Sequence, residues 1–358
     1  MSALGLGTAC LPLDEVGLTM VRYAIDHGVN YLDLAYHHDA DNRRALGRLI
    51  GGALGEGYRE RVKIAAALPV RSIGSSADFD RCLKEQLECL GVESVDFAVI
   101  GWLDHQNWQG LHAAGVLSRA ESAMADGRIG AMGFSFHDDY QTLRTILNDY
   151  GDFTLCQVKY SFMDVDHHPG VGGIHLAAEK GLAVVVSEPL KGGRLVDKLP
   201  ASVAAVWGDA LRERSLAEWG LRWVWHHPEI AAAVSDVSTL EQLKENIALA
   251  NVAPVPSLGV KEQLLVNRVR DAYQALKPVN CTACRGCMPC PRGIDVPRIF
   301  ELYNDAVIYD DIETARSIYR EEGHDIERCN ECGLCENACG RNIPIIDWLK
   351  KAGKLFDD

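Results

Sequence analysis

Residues 30–41, NYLDLAYHHDAD, run from an apolar stretch into Asp33, Tyr36, His37, His38, Asp39 and Asp41. So many proton-handling groups where a chain leaves a strand can serve acid–base catalysis, bind a metal ion, or form a solvated polar loop. A second group of reactive side chains lies far downstream. Cys281, Cys284, Cys287 and Cys290 follow one another with two residues between each pair, and Pro291 comes next. Cys329, Cys332 and Cys335 repeat that spacing, and Cys339 closes the run after three residues. Eight of the 12 cysteines thus fall in two tight groups, a pattern that in a reducing compartment reads as metal binding and not as disulfides.

Structural zinc normally takes cysteine pairs separated by a longer stretch, so four thiols three residues apart fit it poorly. Close-set thiolates ending in proline are similar to the bacterial ferredoxin run that holds [4Fe–4S] clusters. In two-cluster proteins of that kind the fourth cysteine of each run crosses to the other cluster. The resemblance therefore implies one cluster on Cys281, Cys284, Cys287 and Cys339, and another on Cys329, Cys332, Cys335 and Cys290. The first run departs in closing with two intervening residues, and Gly340 stands where proline is usual.

The remaining chain has to position these groups. Candidate strands at Ala3–Gly7, Asn30–Ala35, Val62–Leu68, Val95–Leu103, Ile129–Phe136, Leu155–Phe162, Ala183–Glu188 and Ile230–Ser235 alternate with amphipathic stretches such as Asp80–Leu90, Leu211–His226 and Leu240–Ala250. Gly28, Gly91, Gly127 and Gly181 stand where helices would end. Eight strand–helix units in about 250 residues predict an α/β fold of the (β/α)8 TIM-barrel type. A doubly wound open sheet ranks behind it, because no GxGxxG follows the first strand. The expected organisation is a barrel over 1–251, a linker and helix over 252–279, and a mostly helical two-cluster ferredoxin-like domain over 280–358, in which Val296–Glu322 reads as helix between the cysteine groups. In a barrel, chemistry gathers at the C-terminal strand ends. Cys82, Cys89 and Cys156 read as packing residues, and so does Cys10, with a place facing the mouth as its alternative.

At 358 residues, with 47% hydrophobic and 24% charged residues, the composition is that of a globular protein. A net charge of −14 disfavours nucleic acid and anionic lipid as partners. No apolar run reaches membrane-spanning length and no basic-then-apolar leader opens the chain, so a cytoplasmic location is expected.

The strings LGLGTACLP, GFSFHDD, CQVKYSFMDVD, VSEPLKGGRL and VSDVSTLEQLKENIALA, together with the segment around Asp33, resemble the aldo-keto reductase superfamily. The similarity is strongest to its branch with a C-terminal ferredoxin-like extension, and covers about Ser2 to Ile346. It implies a catalytic aspartate, a tyrosine five residues later, a lysine ending the third strand and a histidine ending the fourth. Here those positions are Asp33, His38, Ala67 and Gly101, so only the aspartate remains. In the family the tyrosine protonates the developing alkoxide and the lysine lowers its pKa. His38 stands in the proton-donor position and needs no lysine to titrate near neutrality.

The resemblance also implies a nucleotide site. Gly7, Thr8, Ser135, Gln157, Pro189, Leu190, Gly192, Gly193, Glu245 and Asn246 match positions that hold nicotinamide, pyrophosphate and adenine in the family. Asp236 stands where a basic residue often meets the 2′-phosphate, which favours NAD(H) over NADP(H). His105, His137 and His168 could join His38 around a further metal, although no spacing requires it. The expectation is an iron–sulfur oxidoreductase with Asp33 and His38 as catalytic residues. It would pass electrons between an external carrier, such as a ferredoxin or flavoprotein, and a small substrate or nucleotide at the barrel mouth. The alternatives are a non-catalytic scaffold for an electron-transfer module, and a lyase or isomerase that uses Asp33 and His38 as an acid–base pair.

Overall fold

Short runs of β-branched and small apolar residues form eight parallel strands: β1 (Leu4–Gly7), β2 (Tyr31–Leu34), β3 (Lys63–Pro69), β4 (Val95–Leu103), β5 (Ile129–Phe136), β6 (Leu155–Lys159), β7 (Ala183–Ser187) and β8 (Ile230–Asp236). Each pairs with the next and β8 returns to β1, closing the barrel in this computed structural model, which describes residues 1–166, 169–253 and 255–357. The (β/α)8 reading and a mostly helical C-terminal region are both as expected.

Side chains alternate inward and outward along each strand. Tyr31, Ala65, Val99, Leu155, Val185, Ala232 and Val234 therefore fill the barrel interior together with Phe97. The outward set packs beneath the helices, whose starts are fixed by side-chain caps. Asp14, Ser75, Asp139 and Thr239 each accept a backbone N–H of the first turn. Such a cap contributes about 1 kcal/mol. At the other end of one helix, Gly91 takes a left-handed φ of 63° and closes Ser76–Leu90 by donating to Glu88 and Leu87. Gly28, Gly127 and Gly181 also have positive φ.

Helix boundaries moved in two places. The stretch expected over Leu211–His226 is helical only over Leu216–Val224, because Ser215 caps it by accepting the Glu218 N–H. The single helix expected over Val296–Glu322 is two, Val296–Ile308 and Ile312–Glu321. Between them Asp310 turns left-handed at φ 50°, and Asp311 caps the second helix through the Thr314 N–H. One long helix would have carried its apolar stripe away from the core; the break folds it back.

The chain forms two compact units. One comprises Met1–Gly193 with Arg214–Val260 and holds the barrel. The other comprises Arg194–Glu213 with Lys261–Asp358. Its core gathers Ile299, Phe300, Leu302, Tyr319, Leu349 and Phe356, with the Tyr319 and Phe356 rings stacked at 4.8 Å. Within it Arg298 grips Glu322 through two hydrogen bonds of 2.9 and 2.7 Å. None of the helices among the described residues is long and apolar enough to cross a membrane.

Candidate active site

The inward residues at the C-terminal strand ends build the mouth. Gly7 on β1 registers with Asp33 on one side and with Asp236 of β8 on the other. A Cβ at Gly7 would lie 2.1 Å from Asp236 Oδ1, so the missing side chain makes the space that this carboxylate occupies. Asp236 Oδ1 also accepts the Ala9 N–H at 3.0 Å. Across the barrel, Gln157 Nε2 on β6 donates to Asp33 Oδ2 at 2.8 Å. Lys159, two residues further along the same face, pairs with Glu188 at 2.6 Å.

Three carboxylates thus face a small volume. Burial and the neighbouring Asp236 push the Asp33 carboxyl up to about 7, against the pull of the Gln157 amide. Asp236 is raised by burial and by Glu188, opposed by the Ala9 N–H. Its carboxylate touches solvent in the mouth yet sits deep among protein atoms, which is why desolvation still dominates. Glu188 stays low despite its burial because Lys159, Lys191 and His137 favour its charge. Cys10, exposed at the mouth, is raised by burial, Asp236 and Glu188.

The other expected site residues fall as follows. Thr8 is buried and bridges two strands, donating to the Asp33 carbonyl at 3.2 Å and accepting from Ala35 N at 3.0 Å. Ser135 Oγ accepts the Trp102 N–H at 2.7 Å. Pro189 and Leu190 lead into a turn in which Gly192 and Gly193 take φ of 64° and 92°. Glu245 accepts from Ser215 at 2.6 Å, and the Asn246 amide is spent on Ser235 at 2.8 Å. Asp236 is therefore the last inward residue of β8, beside Asp33 and Glu188.

His38 lies in the exposed loop after β2, its ring edge-on to Tyr36 at 5.4 Å. Arg43 holds this loop by donating to the carbonyls of His37 and His38, each at 2.7 Å. The partners of the Asp33 carboxylate are Gln157 and Asp236, not His38. Tyr36 offers no substitute, since its charged surroundings are Arg43, Glu85 and Arg81. The third-strand lysine position is Ala67 and the fourth-strand position Gly101, where an added Cβ would come within 3.2 Å of the Leu68 carbonyl. Lys159 was missed by matching positions one by one. The alternation Gln157, Lys159 along β6 is the signal that would have found it.

Among the described residues the histidines do not gather around a metal site. His105 Nδ1 pairs with Asp138 at 2.8 Å, and His137 packs on Trp102 at 5.5 Å. His168 lies outside the described residues.

The cysteine-rich segment requires a correction. Cys281, Cys287, Cys290, Cys329, Cys335 and Cys339 are partly buried against the apolar core of their unit, while Cys284 and Cys332 are exposed. Burial raises the Cys281, Cys287 and Cys335 thiols, Cys287 to about 11, which favours the protonated form. Among the described residues no group of three or more His, Cys, Asp or Glu side chains is placed to hold a metal ion. The expectation of two [4Fe–4S] clusters is overturned by that finding: spacing brought the thiols into one region without converging them into a ligand shell. Cys82 and Cys156 are buried packing residues, and Cys89 Sγ donates to the Arg43 carbonyl at 3.0 Å.

Comparison with known proteins agrees with this architecture. Residues 280–344 match the 4Fe-4S dicluster domain, so the chain joins a reductase-type barrel to a domain of ferredoxin type. The aldo-keto reductase AKR11C1 from Bacillus halodurans, in its holo form, superposes with a TM-score of 0.60 at 20% identity over 75% of this chain and 91% of that one. An aldo/keto reductase from Klebsiella pneumoniae in complex with NADP and acetate gives 0.61 at 22% identity, covering 75% and 91%. The aldose reductase from Schistosoma japonicum gives 0.58 at 18% identity, covering 75% and 88%. None of the curated proteins compared with it matches. The barrel and the C-terminal domain together suggest oxidoreduction or electron transfer as the general role. Residues 3–261 match the aldo/keto reductase family, and the chain belongs to that family.

Proposed function

We propose that this protein is an oxidoreductase that acts on a small molecule at the barrel mouth, with Asp33 as the group that gives or takes the proton there. The observation that carries this reading is the placement of Asp33: inward at the end of β2, held by Gln157 at 2.8 Å and flanked across Gly7 by Asp236. A general acid works best when its pKa lies near the operating pH. Burial and Asp236 bring the Asp33 carboxyl to about 7, so an aspartate can do here what a tyrosine with its lysine does elsewhere.

Reduction of simple carbonyls by hydride transfer is not the activity proposed. With Ala67 and Gly101 in place of lysine and histidine, no side chain from β3 or β4 polarises a substrate oxygen. The kinship of residues 280–344 with ferredoxin-type domains supports an external electron carrier, a ferredoxin or flavoprotein, as the redox partner. The test is an anaerobic screen of reducible metabolites with a low-potential electron donor, followed by Asp33→Asn on any substrate found. Turnover should fall about 100-fold or more, the usual worth of a positioned acid. A rate within twofold of the parent would remove Asp33 from the mechanism.

A further inference from the structure

Asp33 and Asp236 share an unusual situation. Each registers with Gly7, from opposite sides, and neighbouring strands lie about 4.8 Å apart, so the two carboxylates face one another over a residue without a side chain. Neither is paired with a cationic side chain among the described residues. Asp33 meets an amide, and Asp236 a backbone N–H. The lysines nearby are committed elsewhere, Lys159 to Glu188 at 2.6 Å and Lys191 to Asp164 at 3.1 Å.

A second observation comes from beneath. Tyr31 is fully buried, and among the described residues its hydroxyl has no hydrogen-bond partner. Its ring lies over Gly5, with Cδ1 2.8 Å from where a Cβ would stand, so Tyr31 fills the lumen directly under Gly7 and the carboxylates. Asp33 opposes its ionisation, which places the hydroxyl within that carboxylate's field. A buried hydroxyl without a partner thus lies below two carboxylates that no cationic side chain neutralises.

We propose that the barrel mouth binds a primary ammonium group, held by Asp33 and Asp236 with the Tyr31 hydroxyl accepting from below. An ammonium carries three N–H donors and no acceptor, which suits a mouth whose unneutralised side-chain groups on β2 and β8 are carboxylates. A metal ion fits less well, because these carboxylates do not form a ligand set of metal dimensions. An anionic ligand would add charge to an already acidic mouth. This inference rests on the reading of the mouth as the substrate site, and narrows the substrate to an amine.

The experiment is calorimetric titration of the full chain at pH 8 with n-butylammonium, using butyrate and 1-butanol as matched controls. Saturable binding of the ammonium alone is expected. Asp236→Asn should weaken it by about tenfold or more, as loss of a close charge partner does. Asp236→Asn can still accept the Ala9 N–H, and unfolding curves report whether it folds. Tyr31→Phe keeps the ring and should weaken binding by a smaller factor. Absence of binding, equal binding by butyrate, or unchanged affinity in Asp236→Asn would overturn the proposal. The two readings separate cleanly. Ammonium binding together with an inert Asp33→Asn substitution would sink the catalytic role and leave the site. Turnover that needs Asp33 without ammonium binding would do the reverse.

Discussion

Gln157 Nε2 reaches across the barrel to Asp33 Oδ2 at 2.8 Å, so one side-chain hydrogen bond ties β6 to β2 over 124 residues of sequence. That bond orients the carboxylate while Asp236 and burial oppose its charge. The mouth is therefore a titrating site whose behaviour follows from these neighbours.

The first expected outcome concerns stability and pH. The folded-state pKa of Asp33 is raised to about 7, whereas the unfolded carboxyl titrates near its ordinary value of 3.8. Between those values the folded protein keeps a proton that the unfolded chain has lost, so this group's contribution to stability falls as pH rises. Facing it are Asp236, Tyr31 and, beyond Asp236, the Glu188–Lys159 pair. Asp33→Asn should gain on the parent from pH 4 to pH 8, by something of the order of a few kcal/mol. Urea unfolding at pH 4, 6 and 8 reads the difference, and a pH-independent gap would contradict it.

The second concerns which residue handles the proton. His38 is exposed and packs on Tyr36, so His38→Phe should cost little, within about threefold, where Asp33→Asn costs about 100-fold. Comparison of the two variants on one substrate decides the matter. A His38→Phe loss equal to that of Asp33→Asn would return the acid role to the loop.

Ordinary carbonyl chemistry supplies a third. NADPH-dependent reduction of generic aldehydes should be negligible, since Ala67 and Gly101 leave the substrate oxygen unpolarised. Turnover near the enzymatic median of roughly 10 per second would show that another group does that work.

Gly7 offers a packing test. In Gly7→Ala the new methyl would meet Asp236 Oδ1 at 2.1 Å and Val234 at 2.9 Å. A loss of about 1–3 kcal/mol is expected, the usual cost of overpacking. Combining it with Asp236→Ala should recover part of that loss, and strict additivity in the double-variant cycle would disprove the contact.

In the C-terminal unit, Glu322 is partly buried, yet His324 and Arg298 hold its carboxyl down to about 2. Its stabilising contribution is present above the ordinary carboxylate range and is lost as pH falls toward 2. Glu322→Gln should therefore destabilise at pH 7 by about 1–3 kcal/mol, since it removes one of the two carboxylates, Glu301 and Glu322, that Arg298 binds. The penalty should shrink in acid, and thermal unfolding across pH 3 to 7 would show whether it does.

The barrel was legible in the linear chain because strand and helix periods are local properties. All eight strands lie within a few residues of where alternation and glycine punctuation place them. The inward set at the strand ends, Gly7, Asp33, Ser135 and Gln157, follows from the same alternation once the barrel is accepted. What each of these groups does is a different matter, because a carboxylate's character depends on neighbours remote in sequence. Asp33 titrates near neutrality because Asp236, 203 residues away (236 − 33), flanks the same glycine and Gln157 arrives from β6. His38 holds the family's proton-donor position in the chain, but Arg43 and Tyr36 fix its loop at the surface. The cysteine spacing likewise brought eight thiols into one unit and said nothing of the distances among them. Metal ligation needs side chains converging on a point, and only the tertiary structure showed that among the described residues no such group forms.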